Sequence, residues 1–211
     1  LIKDVYTLKV KNGPYQAQIP SKGVLQAYKR VRITARVQGV MQTINPLFKS
    51  GQEYRSGQTL TKIEPSEYRA NVISQRAGLY NLITSVLPDL QLDFPKAYSQ
   101  WNNYLKKFDL EKPVPRLPIM EDHVRLFVSG RGIISSYYSL QNLEKTLTFY
   151  QIKAPFDGII SSVNILPGSV INKNEKLGTL VDPSSLEVKF NLSDNSVNDF
   201  ASEAKKIPSF E

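Results

Sequence analysis

One short pattern occurs twice in this chain, and the distance between its copies constrains the fold more than any single residue. The fuller copy runs through Ile152, Lys153, Ala154, Pro155, Phe156, Asp157, Gly158, Ile159 and Ile160, followed by Pro167-Gly168 and by Lys176-Leu177-Gly178. Its echo lies upstream, where Ala35-Arg36-Val37-Gln38-Gly39-Val40 repeats the Ala-x-x-x-Gly-apolar core. Gly51 then precedes Gly57-Gln58-Thr59-Leu60 as Gly168 precedes Asn174-Glu175-Lys176-Leu177. Gly39 and Gly158 stand 119 positions apart, Gly51 and Gly168 only 117, so the first copy carries two extra residues, placed in the turn from Pro46 to Ser50. Two matching halves so far apart predict one small β domain split in the middle by a large insert.

The element pattern agrees. Residues 15 to 45 read as strands, with Ala17, Ile19, Val24, Leu25, Val31, Ile33, Ala35, Val37 and Val40 loosely alternating with polar neighbours, and with Pro20 and Gly23 as a turn. Strand character continues to about Ile63. Pro65 then suits a first helical position, because its missing N–H would be unpaired there anyway. From Ser66 to Leu87 the spacing predicts an amphipathic helix of about six turns with Ile73, Ala77, Tyr80 and Leu87 on its apolar face, widened by Val72, Leu79, Ile83 and Val86. Pro88 is expected to end or kink it.

Phe94-Pro95 opens a short helix through Trp101 and Tyr104 to about Phe108, and Pro113, Pro115 and Pro118 forbid regular helix after it. A second helical pattern runs from Glu121 to Tyr150 through Leu126, Ile133, Tyr137 and Leu140, weakened at Gly130 and Gly132. Strands return at Gln151. The clearest is the last, where Leu186, Val188, Phe190 and Leu192 alternate with Glu187, Lys189 and Asn191; Asp194 to Glu211 reads as a turn and short helix.

Composition narrows the chemistry. The 211 residues are 41% apolar and 22% charged, as in folded protein. There is no cysteine and one histidine, His123, which leaves little material for a catalytic triad or a His/Cys metal site. Asp157 reads as a turn residue and Glu121-Asp122 as acids in a first helical turn, so no catalytic, cofactor or metal residue is assigned. The net charge of +8 is spread along the chain without a recognised nucleic-acid module, so nucleic acid is not an expected partner. No run approaches the about 18 apolar residues of a membrane span.

The half-motifs resemble the lipoyl/biotinyl-type domain. Gly39, Gly51, Gly57, Gly158 and Gly168 sit at its tight turns, with Ala154 and Pro155 completing the second half-motif. In that family the halves join at a hairpin tip bearing a modified lysine. The equivalent tip here reads Pro65-Ser66-Glu67-Tyr68, without lysine, and the chain departs into a helix. A split lipoyl domain with a helical hairpin at its tip is similar to the membrane fusion proteins, or periplasmic adaptor subunits (haemolysin-D-like). Thr61 to Tyr68 looks like that family's entry into its first helix, Leu147 to Gly158 like the exit from its second, and Asp182 with Leu186-Glu187-Val188 like the start of its barrel; Ile19 to Val24 looks like the strand entering from that barrel.

The fold expected from this resemblance is mainly β with inserted α. A split lipoyl-like domain (31–64 and 151–182) is interrupted by a helical hairpin arm (65–150) carrying an extra Pro-rich and helical tip segment (88–120). Part of an adaptor β-barrel (1–30 and 183–211) completes it. The implied role is a non-enzymatic periplasmic adaptor, without cofactor. It would link an inner-membrane transporter to an outer-membrane channel, form a homo-oligomeric ring and be anchored through a segment outside this chain. An RND-type drug-efflux transporter is expected ahead of an ABC or type I secretion exporter. Two other classes are a lipoyl- or biotin-dependent carrier domain and a basic nucleic-acid-binding β-barrel.

Partner-contact candidates on the arm are Trp101, Tyr104, Lys107, Arg125 and Ser135. For Trp101 and Tyr104 the alternative is that they staple the extra helix to the arm. Drug-efflux adaptors often carry an Arg, a Leu and a Ser at set spacing at the tip. Aligned on Ile134-Ser135, this chain offers Val124, Val128 and Ser135, with Arg125 one place off.

Overall fold

A computed structural model describes residues 7, 9 and 22–190. The expected strand at Ile19 and the expected turn and helix from Asp194 onward lie outside the described residues. The chain divides into two compact units, one holding its two ends and the other spanning Lys29–Ser184. In the first, β1 (Gly23–Ala27) pairs antiparallel with β10 (Leu186–Phe190), from Gly23 opposite Phe190 to Ala27 opposite Leu186. Gly23 opens this strand and is not the turn residue expected from its position after Pro20.

The second unit contains the split domain. Its first half supplies β2 (Arg30–Thr34), β3 (Gly39–Gln42), β4 (Glu53–Tyr54) and β5 (Thr59–Ile63). Its second half supplies β6 (Gln151–Lys153), β7 (Gly158–Val163), β8 (Val170–Ile171) and β9 (Lys176–Val181). They form two four-stranded sheets, β2-β9-β7-β4 and β6-β5-β3-β8. Exchanging each strand for its counterpart in the other half turns the first order into the second. The sequence repeat is therefore an internal pseudo-two-fold, and neither half makes a sheet alone.

The repeat holds down to single hydrogen bonds. Ala154 accepts from the Gly57 N–H (2.8 Å) and donates to the Gln58 carbonyl (2.8 Å); Ala35 accepts from the Asn174 N–H (2.8 Å) and donates to the Glu175 carbonyl (3.0 Å). Gly51 N–H donates to Ile160 O (2.8 Å), as Gly168 N–H does to Met41 O (2.8 Å). Each half thus clamps a turn of the other. Ala35 and Ala154 are buried inside these clamps among Leu60, Ile63, Ile160, Ile171, Leu177 and Leu180. The apolar residues of both halves form one core, and burying such side chains contributes roughly 1.5–3 kcal/mol each.

Gly158 does not serve the purpose expected of it. The turn glycines Gly51, Gly57 and Gly168 have φ of +82°, +77° and +86°, but Gly158 is not among the positive-φ residues. A Cβ there would stand 2.4 Å from the Val181 carbonyl oxygen, so the requirement is close approach of β7 to β9.

Between the halves lie α1 (Ser66–Asp93), α2 (Pro95–Lys106), α3 (Asp122–Gly130) and α4 (Ile133–Thr148). α1 has 28 residues, about 42 Å at 1.5 Å per residue, and passes through Pro88 instead of ending there. Pro88 faces solvent, so the Thr84 carbonyl it leaves free is open to water, while Val86 and Leu90 on either side are buried. The apolar face is centred on what was expected as its margin: Val72, Leu79, Ile83 and Val86 are buried, whereas Ile73, Ala77 and Leu87 are half-buried and Tyr80 is exposed. Val72, Arg76, Leu79, Ile83, Val86 and Leu90 are the buried residues, alternating in steps of four and three. That 3.5-residue repeat is a coiled-coil seam. On α4 the same repeat runs through Ile133, Tyr137, Leu140, Glu144 and Leu147.

Expected weakness at Gly130 and Gly132 becomes a break between α3 and α4, with Gly132 at φ +77°. On α3 the buried residues are Val124 and Val128, whereas Leu126, expected on the apolar face, is 75% exposed.

The helical arm as candidate functional site

The arm leaves the β domain where a lipoyl-type hairpin would turn. Ile63 N–H donates to the Tyr150 carbonyl (2.8 Å), Glu64 N–H to the Val40 carbonyl (2.9 Å), and the Tyr68 and Tyr150 rings pack at 5.3 Å. The Glu64 carboxylate accepts from the Ser66 hydroxyl and backbone and from Gln42. The Ser66 hydroxyl foremost, then Gln42, holds its pKa below the ordinary glutamate value. The site of a carrier lysine is thereby the fixed root of a helix.

α1 and α4 run antiparallel. Arg76 meets Glu144 (2.7 Å), and thirteen residues along α1 from Arg76, Asp89 meets Arg131 (2.7 Å), which lies thirteen residues before Glu144. Arg76 and Glu144 sit inside the seam, with side chains 6% and 15% exposed. A buried ion pair needs its remaining donors and acceptors satisfied. Here they are satisfied by the Pro-rich segment. Arg76 Nη1 donates to the Leu110 carbonyl (2.8 Å), and the Glu144 carboxylate accepts from the Val114 N–H (3.0 Å).

Farther along, the Tyr104 hydroxyl donates to the Pro115 carbonyl (3.0 Å). Residues 109–120 therefore form an extended strap along the arm, fixed by side chains of α1, α2 and α4. α2 packs against α1 and reaches the strap through Tyr104, and just beyond α2 the Phe108 ring meets Tyr80 of α1 at 5.6 Å. Burial raises the pKa of Tyr104 and, less far, of Tyr137.

This packing sorts the sequence candidates. Trp101 is fully buried and Tyr104 nearly so, both inside the helical core, so they are corrected from surface anchors to staples of α2. The stripe of Phe94, Ala97, Tyr98, Trp101, Tyr104, Leu105 and Phe108 carried that signal in its helical spacing. Lys107, Arg125 and Ser135 are exposed, but Lys107 lies just past α2, Arg125 on α3 and Ser135 on α4. Arg125 pairs with Asp122 (3.3 Å), and the Ser135 hydroxyl donates to the Gly132 carbonyl (2.9 Å). Val124 and Val128, aligned with tip positions, are core. His123 is an exposed residue whose ring packs on Phe94 (5.4 Å) and whose Nε2 lies 3.2 Å from Glu121.

Asp157 accepts from the Ser56 N–H, in the turn it was assigned to. Sequence reasoning missed Arg76 and Glu144. Each is the one charge in an otherwise uncharged seam, and their signs are opposite, which is the signal that would have found them.

No helix among the described residues is long and apolar enough to cross a membrane. No group of three or more potential metal ligands occurs among them either.

No curated protein is detectably similar to the chain in sequence. Solved structures share its fold. A MacA-MexA chimeric protein containing the Pseudomonas aeruginosa MexA α-hairpin domain matches with TM-score 0.58 and 16% identity, over 85% of this chain and 59% of that one. A membrane fusion protein from Streptococcus pneumoniae matches with TM-score 0.54 and 16% identity, over 83% and 69%. A protein assigned as an efflux transporter of Bacteroides eggerthii matches with TM-score 0.51 and 19% identity, over 89% and 52%. This chain thus spans between about half and seven-tenths of the length of those relatives. Residues 29–183, which hold both half-motifs and the arm between them, match the family described as RND MFP, barrel-sandwich hybrid domain, and the chain belongs to that family of membrane fusion proteins.

Proposed function

We propose that this chain is the periplasmic portion of an adaptor that joins an inner-membrane transporter to an outer-membrane channel, with RND-type drug efflux as its setting. The family's members are adaptors and not enzymes. In this reading the β1–β10 pair begins a barrel domain, the two half-motifs form the lipoyl-like domain, and residues 65–150 are the arm that reaches the channel. Copies assemble into a ring, and an anchor outside this chain holds it at the inner membrane. One observation carries the reading. The arm is rooted by backbone hydrogen bonds at the point where the two halves meet, and a continuous seam with a buried ion pair stiffens it along its length. A stiff projecting arm with no assembled catalytic groups suits mechanical coupling.

The exposed positions Lys107, Arg125 and Ser135 supply the test. A photo-crosslinking residue at each, in otherwise intact cells, is expected to trap an outer-membrane channel protein from at least one position. Adducts confined to cytoplasmic proteins, or to none, would remove the adaptor reading.

A further inference from the structure

The pseudo-two-fold leaves β2 and β6 as equivalent edge strands, each paired on one side only among the described residues. A groove of about 300 Å³ runs between them. It is lined by the consecutive residues Val31–Thr34 of β2 and Gln151–Lys153 of β6, so the open backbone edges of both strands border it. Unpaired edges are templates for another strand. The side chains around this one carry a single sign of charge. Arg32, Arg36 and Lys153 line the groove, and Arg30 and Lys176 join Arg32 in the adjoining hollow. No carboxylate lines either, and none of the five makes an ion pair with the described residues. The nearest acid in sequence, Glu175, turns its carboxylate onto the Asn172 N–H at 2.7 Å. Phe149, Ile152 and exposed Val31 give the groove an apolar side, with the Arg36 guanidinium 4.9 Å from the Phe149 ring.

We infer that this groove is a docking site for an extended, acidic polypeptide segment of a partner protein, which adds a strand to β2 or β6. Backbone hydrogen bonds to an open edge supply sequence-independent affinity, and alternate side chains supply specificity. A partner strand with carboxylates on one face and apolar residues on the other matches what the groove offers. Cations that pair with no carboxylate among the described residues lose little on meeting those of the partner, and they steer the encounter in a salt-dependent way. Pairing on β2 extends the sheet to five strands. The inference goes beyond the adaptor reading and stands without it, since it concerns the β domain and not the arm.

A labelled peptide of alternating glutamate and valine, titrated into the whole chain at low salt and followed by fluorescence anisotropy, is the probe. Binding is expected to fall about tenfold in the Arg32→Glu/Lys153→Glu variant, with its thermal midpoint retained, and to weaken as salt rises. The same peptide N-methylated on alternate backbone nitrogens keeps its charge but cannot form a ladder, and is expected to bind about tenfold more weakly. Hydrogen exchange should slow at residues 31–34 or 151–153.

Equal affinity for the N-methylated peptide, or for a lysine-valine peptide, would overturn the proposal. So would exchange protection elsewhere, binding of phosphatidylglycerol vesicles but not of the peptide, or self-association of the chain that protects the groove in place of the peptide.

Discussion

The β domain and the arm belong to one compact unit and are held by opposite means. In the β domain the critical contacts are backbone to backbone and occur in pairs, one for each half-motif. In the arm the strap at 109–120 is tied by side chains, and each tie occurs once. A duplicated backbone clamp tolerates many side chains provided that glycine and alanine stand where two chains approach. A side-chain tie fails when its one residue changes. The two regions should therefore respond to substitution in different ways.

Glu144→Ala is expected to have the largest effect. It strands the buried Arg76 guanidinium and frees the Val114 N–H, and removing one partner of a buried pair typically costs about 3–5 kcal/mol. Trp101, the sole tryptophan, sits in the core beside the strap, so its fluorescence reports the arm alone. Denaturant unfolding followed through Trp101 should shift strongly, and exchange at 109–118 should quicken. The Arg76→Met/Glu144→Met double variant should lose less global stability than Glu144→Ala, since apolar replacement of a buried pair is often near neutral, and still release the strap. If both variants leave exchange at 109–118 unchanged, the ion pair does not hold the strap.

In the β domain the matching lesion is Gly158→Ala. The added Cβ meets the Val181 carbonyl, which cannot rotate away, so the loss should approach the upper end of overpacking, about 3 kcal/mol. Gly51→Ala is the control. Nothing lies within 4 Å of its Cβ, and only the positive φ opposes the change, at about 1–2 kcal/mol. Equal losses in thermal or urea unfolding would mean that close approach of β7 and β9 is not what Gly158 provides.

Alkaline pH separates the regions without mutation. Burial raises the pKa of Tyr104 and Tyr137 in the arm and of Tyr54 in the β domain. Unfolded tyrosines titrate near pH 10, about where such a group begins to favour unfolding. A raised folded value means that the stabilisation is complete below that pH and is lost progressively above it, as pH rises toward and through the raised folded value. Tyr104 is displaced farthest and its hydroxyl holds the strap, so Trp101 fluorescence should report loosening of the arm before far-UV dichroism reports loss of the sheets. Loss of the sheets first would reverse the order.

The same contrast explains what was legible in the sequence. Ala35 and Ala154, Gly51 and Gly168 announce the β domain because backbone clamps require small residues at fixed spacing, and the requirement is written twice. The α1 seam was legible as a helix but misphased. Ile73, Ala77, Tyr80 and Leu87 form a plausible face with Val72, Leu79, Ile83 and Val86 at its margin, and the charge at Arg76 interrupts the apolar heptad that those marginal residues in fact form. The strap was legible only as a region without helix. Its ties join Arg76 to Leu110 and Val114 to Glu144, 34 and 30 residues apart, with no local pattern to mark them. Trp101 and Tyr104 were readable either as anchors or as staples, because the same stripe serves a partner or a neighbouring helix until the strap is seen to cover it.

The smallest expected effect tests the symmetry itself. Gly57 and Asn174 occupy equivalent places, each donating its N–H into the alanine clamp of the other half at 2.8 Å, with φ of +77° and +67°. Asparagine enters the left-handed region far more readily than alanine. The second half therefore already demonstrates the substitution that the first should accept. Gly57→Asn is expected to change stability by no more than about 0.5 kcal/mol, whereas Gly57→Ala should cost about 1 kcal/mol or more from backbone strain alone, since nothing lies within 4 Å of the added Cβ. Thermal unfolding of the two variants side by side resolves the difference. If asparagine is as harmful as alanine, the two clamps are alike in sequence and hydrogen bonding but not in the backbone geometry they impose, and the pseudo-two-fold stops at the strand order.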